Sequence, residues 1–208
     1  MKHKLILFDW GNIVESHTLG YTCYDAWKDL FLACGYKAKE DEVVFQKLFK
    51  YKVSLAQTKN DFEVIFNQMS KDFGFNVDFS KFCCLYNQIF DKIDYFQEVA
   101  DFEHSLKDSC YIGILSDLTV FDKERLDKQV DLSQYDYVFL SFEIGRKKPN
   151  RETFEFIQTK LPFEPNDILF IDDRKDNVDG ASAIGWQTIQ ATGLELDKIK
   201  QKCKEFLK

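Results

Sequence analysis

Four acidic or hydroxyl-bearing residues and one lysine stand at the ends of short apolar runs in this 208-residue chain. Asp9 follows Leu5 to Phe8, Ser116 follows Tyr111 to Leu115, Lys148 comes shortly after Tyr137 to Leu140 and just before Pro149, and Asp172 with Asp173 closes Ile168 to Ile171. Three carboxylates in one crevice repel one another unless a cation sits among them, and hard oxygen donors of this kind suit Mg²⁺. A lysine alongside would hold an anion, and a serine hydroxyl would donate a hydrogen bond to it. The chemistry predicted is a phosphate site with a metal. Each residue taken singly has a plainer use: an aspartate after a strand caps a turn, Ser116 caps a helix, and Lys148 belongs to the solvated run Arg146-Lys147-Lys148.

The elements that would position these residues follow from the hydrophobic period, which changes twice. Lys4 to Phe8 reads as a buried strand whose exit loop holds Gly11. From residue 96 onward, the runs Tyr111–Leu115, Tyr137–Leu140, Ile168–Ile171 and Trp186–Ile189 read as strands. They alternate with helices over Phe121–Val130, Thr153–Leu161, Val178–Ile184 and Glu195–Leu207. Strict alternation predicts a parallel sheet covered on both faces, an α/β Rossmann-like core whose ligands gather at the carboxyl ends of the strands.

Residues 16–94 read differently. Phe62, Ile65, Phe66, Met69 and Phe73, then Phe79, Phe82, Cys83, Tyr86, Phe90 and Ile93, recur at helical spacing. Trp27 to Cys34 and Val44 to Phe49 mark two more helices, and Asn60 with Glu63 three residues on predicts a capping-box start. Ten of the 21 phenylalanines lie between residues 15 and 95, enough for a small helical core of its own. The predicted organisation is a sheet domain from 1–15 and 95–208, with a helical insert over 16–94.

Composition narrows the partners. Thirty-five acidic against 28 basic residues give a net charge of -7, which opposes general binding to nucleic acid or anionic lipid. No apolar run is long enough for a signal peptide or membrane span, so a cytoplasmic location is expected. The six cysteines (Cys23, Cys34, Cys83, Cys84, Cys110, Cys203) show no C-x-x-C spacing, and neither disulfide nor zinc is expected. Oligomeric state has no signal in the sequence.

The residues resemble the haloacid dehalogenase superfamily of phosphohydrolases, and the closing motifs are similar to those of its bacterial glucose-1-phosphate phosphatase group. The motifs read Phe8-Asp9-Trp10-Gly11-Asn12, Leu115-Ser116-Asp117, Gly145-Arg146-Lys147-Lys148-Pro149, and Phe170-Ile171-Asp172-Asp173 running through Asn177 and Gly180-Ala181 to Gly185. The resemblance implies that the insert is a helical cap and that a small phosphorylated metabolite, such as a sugar phosphate, is the substrate. It implies that Asp9 is the nucleophile, forming an aspartyl-phosphate, with Mg²⁺ held by Asp9, the Gly11 carbonyl and Asp173, and by Asp172 directly or through water. Ser116 and Lys148 would hold the phosphoryl group, Asn12 and Asp117 would contact substrate, and Asn177 would support the metal site.

One position departs from the family pattern. Gly11 stands two residues after the nucleophile, where a second aspartate usually protonates the leaving group. Losing a general acid costs roughly 10²- to 10⁴-fold, unless Glu15 or His17 reaches in. Glu15, His17, Asp117 and Asp176 otherwise have only their neighbourhood to recommend them. Three alternatives remain: a 2-haloacid dehalogenase, which would have no use for Asp172-Asp173; a signalling receiver domain, whose acidic pair comes first in the chain; and an idle scaffold that binds a phosphometabolite or a protein.

Overall fold

The computed structural model describes residues 2–15, 21, 23–37, 44–93 and 95–208. In chain order its elements are β1 (Leu5–Phe8), α1 (Cys23–Ala33), α2 (Val44–Leu48), α3 (Lys59–Phe73), α4 (Phe79–Phe90), α5 (Gln97–Ser105), β2 (Tyr111–Ser116), α6 (Asp122–Gln129), β3 (Tyr137–Leu140), α7 (Ser141–Ile144), α8 (Arg151–Gln158), β4 (Ile168–Asp172), α9 (Lys175–Ser182), β5 (Gln187–Gln190) and α10 (Leu196–Phe206). The expected α/β class holds: the five strands form one parallel sheet in the order β3-β2-β1-β4-β5. Strand order reverses beside β1, so the crevice between β1 and β4 lies at the switch point where ligands of such sheets bind.

Register brings the chemistry together. Phe8 pairs with Ile114 on one side and Ile171 on the other, so Asp9, Ser116 and Asp172 leave the sheet at nearly the same level. The Asp9 amide donates to the Ile171 carbonyl at 2.9 Å. Gly113 permits the tight fit of β2, since a Cβ there would stand 2.5 Å from the Tyr137 carbonyl and 2.8 Å from a Leu7 methyl.

Apolar side chains cover both sheet faces. Ile6, Phe8, Ile112 and Leu169 pack with α5 and α10 residues such as Val99 and Ile199. Leu5, Leu7 and Phe170 pack with Phe154, Ile157 and Trp186. The helices between residues 23 and 93 bury a third cluster built on aromatic rings: Trp27 meets Phe90 at 5.3 Å, and Tyr86 stacks on Phe90 at 4.1 Å. Phe121, just before α6, belongs to this cluster and meets Phe62 at 4.9 Å. The chain leaves and re-enters the sheet unit side by side: Glu15 bridges both Gly11 and Tyr95, and the Phe96 amide donates to the Val14 carbonyl at 2.6 Å.

The capping box expected at Asn60 and Glu63 is corrected. The N-cap of α3 is Thr58, whose hydroxyl accepts from the Asp61 amide at 3.1 Å while the Asp61 carboxylate accepts from the Thr58 amide at 2.9 Å. Aspartate at N3 closes the box, and the helix begins ahead of Asn60.

One buried acid is out of place. Glu103 of α5 is fully buried in the apolar cluster; Oε2 accepts from the Tyr135 hydroxyl at 2.6 Å, and Oε1 has no partner among the described residues. Burial pushes its pKa up to about 8, and the Tyr135 hydrogen bond offsets only part of that. The folded value lies above the unfolded one, so the contribution of Glu103 to stability is complete at low pH. It is lost as pH rises from about 4.5 to about 8. Glu103→Gln is therefore expected to leave stability near pH 4 little changed and to raise it by about 3 to 5 kcal/mol above pH 8. Urea unfolding at pH 4, 7 and 9 checks this; equal pH slopes for both proteins would refute it.

Candidate active site

Asp9, 7% exposed, follows β1 with three donors converging on its Oδ1. These are its neighbour Trp10 N at 2.7 Å, Ser116 Oγ at 2.7 Å, and the Lys148 ammonium at 2.9 Å. Its pKa is nevertheless raised well above the carboxylate range. Burial is the main cause, opposed by Lys148 and reinforced by Asp172 and Asp173.

Lys148 is the centre of the site. Its Nζ donates to Asp172 Oδ2 at 2.6 Å and to the Leu115 carbonyl at 3.1 Å, besides pairing with Asp9. Burial opposes its charge, but Asp172, Asp9 and Asp117 outweigh burial and raise its pKa. Its backbone amide donates to Asp117 Oδ1 at 3.1 Å, and the Lys148–Pro149 peptide is cis. Of the two adjacent lysines, Lys148 therefore enters the carboxylate cluster. Lys147 lines the outer cavity.

Asp172 is fully buried with both oxygens engaged. Oδ1 accepts from Arg174 N at 2.8 Å and from Asn177 Nδ2 at 2.9 Å, and Oδ2 accepts from Lys148 and, at 2.9 Å, from the same Asn177 nitrogen. These bonds hold the start of α9 and the lysine in place. Asp173 is more open. Its pKa is raised by burial and by Asp172, and Asn12 Nδ2 donates to its Oδ2 at 2.7 Å. Asn12 has φ of 61°, a left-handed conformation that asparagine tolerates better than most residues. In this conformation its amide orients Asp173. Gly11 and Asn12 line the cavity beside Asp9.

The carboxylates fit a divalent cation. Asp9, Asp172 and Asp173 each offer an oxygen, all within 4.8 Å of one another. Asn177 Oδ1, which belongs to a residue lining the same cavity, is buried with no donor among the described residues. Hard acidic oxygens and a nearby unsatisfied acceptor suit a hydrated Mg²⁺.

Glu15 and His17 are the two residues considered as a substitute acid. Glu15 is 2% exposed and held by the Arg125 guanidinium. His17 lies outside the described residues. Sequence reasoning missed Arg125 itself, together with Thr119 and Asp122, which line the same cavity. No spacing rule links Glu15 to a partner 110 positions away.

The haloacid dehalogenase-like hydrolase family matches residues 14–191. D-ribitol-5-phosphate phosphatase of Bacteroides thetaiotaomicron is 28% identical over 109 residues, 47% of this chain and 53% of that protein. Drimenol cyclase drtB of Aspergillus calidoustus is 30% identical over 64 residues, 31% of this chain and 12% of that protein. The chain thus spans about half, or less, of these curated relatives. The solved structure of HAD family enzyme bt-2542 from Bacteroides thetaiotaomicron, a wild-type complex with magnesium and inorganic phosphate, superposes with a TM-score of 0.65. The identity is 18%, and the match covers 92% of this chain and 95% of that one. At that identity the likeness speaks for the fold.

Proposed function

The chain belongs to the haloacid dehalogenase-like hydrolases, and from that premise we propose that it is a Mg²⁺-dependent phosphatase of a small phosphorylated metabolite such as a sugar phosphate. The observation that carries the proposal is the convergence of Lys148 and Ser116 on Asp9, with Asp173 within ligand reach. The phosphatase activity of the Bacteroides relative and the magnesium and phosphate bound by the structural neighbour support the same reading.

Asp9 attacks phosphorus through its second carboxylate oxygen, the bond from phosphorus to the ester oxygen breaks, and an aspartyl-phosphate forms. Water then attacks phosphorus, releasing inorganic phosphate and restoring Asp9. Lys148 and Ser116 hold the nucleophile and offset charge on the phosphoryl oxygens. Asp9, Asp173 and the Gly11 carbonyl would hold Mg²⁺, with Asp172 behind them fixing Lys148. Once bound, the cation neutralises phosphoryl charge and carboxylate repulsion. Residues 16–94 serve as the cap that closes the crevice against water.

The adjacent carboxylates Asp172 and Asp173, within reach of one metal ion together with Asp9, argue against a dehalogenase, which needs no acidic pair for metal. The same intact constellation argues against an idle scaffold.

Gly11 shapes the kinetics. No side chain there protonates the departing oxygen, so charge builds on it and kcat/KM should fall steeply as leaving-group pKa rises. Aryl phosphates are expected to be cleaved far faster than simple alkyl phosphates in Mg²⁺, and none should be cleaved in EDTA. Gly11→Asp has room, with nothing within 4 Å of the added Cβ and no positive φ. It is expected to speed alkyl esters by one or more of the roughly two to four decades that general acids supply. Full activity in EDTA would overturn the metal-assisted mechanism, and a flat leaving-group profile would mean an acid is present.

A further inference from the structure

The cavity over Asp9 extends well beyond the space a phosphate needs, to about 970 Å³ open to solvent. Among the described residues four cationic side chains line it. Lys148 sits between Asp9 and Asp172, and Arg125 between Glu15 and Asp122. The other two, Lys147 and Arg174, are less deeply buried.

Both stand on the flank covered by α8 and α9. Lys147 lies in the loop that enters α8 and Arg174 is the N-cap of α9. The two helices pack so closely that a Cβ on Gly180 would stand 2.7 Å from the Phe154 ring and 2.8 Å from the Pro149 carbonyl. Each cation projects from a fixed backbone: the Lys147 carbonyl accepts from the Thr153 hydroxyl at 2.8 Å, and the Arg174 amide donates to Asp172 Oδ1 at 2.8 Å. Their charges also meet. Burial lowers the pKa of Lys147, Asp117 opposes that, and the like charges of Lys52 and Arg174 lower it further. The charge of Arg174 is felt as well at the Tyr24 hydroxyl of α1, which lines the same cavity. Its pair with Asp176 is loose, at 3.6 Å, and that carboxylate is mostly in solvent.

Like charges gathered in a partly buried place repel one another, and an anion between them removes the repulsion. The transferred phosphoryl group has its own partners deeper in, at Lys148, Ser116 and the carboxylates that fit a metal. We infer that Lys147 and Arg174 bind a second anionic group of the substrate, a carboxylate or a phosphate, so that this site prefers phosphomonoesters carrying one to analogues that lack it. The inference rests on the phosphatase reading and deepens it. A guanidinium donates two parallel hydrogen bonds to either group, and an ammonium adds a point charge beside it. The chain as a whole carries a net charge of -7, so the attraction acts locally, on a small substrate already within the cavity.

The test uses the full chain in Mg²⁺ with p-nitrophenyl phosphate and three para-substituted phenyl phosphates, whose substituents are carboxymethyl, phosphonomethyl and carbamoylmethyl. A methylene separates each substituent from the ring, which keeps the leaving phenols close in acidity. The carboxymethyl or the phosphonomethyl ester is expected to exceed the uncharged carbamoylmethyl ester in kcat/KM by about tenfold or more, the scale of a hydrogen bond between charged partners. Preference for the carboxylate would identify phosphorylated carboxylic acids as the class, and preference for the phosphonate would identify bisphosphates. Arg174→Gln and Lys147→Gln should each shrink that ratio severalfold. Cations that serve only the transferred phosphate would instead slow every ester by one factor, which would overturn the inference. Raising NaCl from about 0.05 to about 0.5 M should also shrink the wild-type ratio, because half-exposed charges are screened; that result stands even if a variant fails to fold. Equal rates for charged and uncharged esters, or a preference for the uncharged one, would overturn the inference while p-nitrophenyl phosphate cleavage upholds the phosphatase. No cleavage of any ester would overturn both.

Discussion

Asp9→Asn is expected to lower turnover of p-nitrophenyl phosphate by about 10⁵-fold, the scale on which removal of a nucleophile acts in covalent catalysis. The fold should survive. The asparagine carbonyl can still accept from Ser116 Oγ and Trp10 N, which now bond Asp9 Oδ1, and the change removes one of three crowded carboxylates. Thermal unfolding should therefore stay level or rise in the absence of metal, while activity vanishes. Retention of more than a tenth of wild-type turnover would remove Asp9 from the chemistry.

Lys148→Met should harm both stability and rate. The ammonium now stands 2.6 Å from Asp172 and 2.9 Å from Asp9, and deleting it leaves two buried carboxylates facing each other. Removing one partner of a buried pair costs about 3 to 5 kcal/mol, and hydrolysis should drop by at least about 10³-fold with the loss of charge on the phosphoryl group. Adding Asp172→Asn to the same protein removes the orphaned charge, so the double variant should be more stable than Lys148→Met alone. Urea midpoints in EDTA decide between the outcomes. A single variant within about 1 kcal/mol of wild type would mean that the ion pair does not hold the site together.

The sheet and most of its active-site loops were legible because β-strands buried on both faces read as unbroken apolar runs. Tyr111, Tyr137 and Ile168 begin their strands as expected, and the carboxylates at the strand ends meet in one crevice. Helix α5 was unread for a definite reason. Its buried positions are Val99, Ala100 and Glu103, and a carboxylate where the pattern needs an apolar residue marks that position as surface. Helix α7 spans four residues, too few to display a period. The finer roles depend on hydrogen-bond direction, which sequence does not carry. Asn12 turns to Asp173, Asp117 to the Lys148 amide, and Asp172 to Lys148 and Asn177. The Glu15–Arg125 pair was invisible because only the closed fold brings α6 against the exit loop.

The side-by-side crossing at Glu15 and Tyr95 has a further consequence. The Val14 carbonyl and the Phe96 amide are hydrogen-bonded at 2.6 Å, so to the sheet the whole intervening segment is a loop whose ends already touch. The entropy of closing a flexible loop grows only with the logarithm of its length, about 0.6 kcal/mol for each doubling. A longer, shorter or differently folded segment could occupy the same doorway at nearly constant cost to the sheet. The helical segment between these two points can therefore be exchanged while Asp9, Lys148 and Asp173 keep their places.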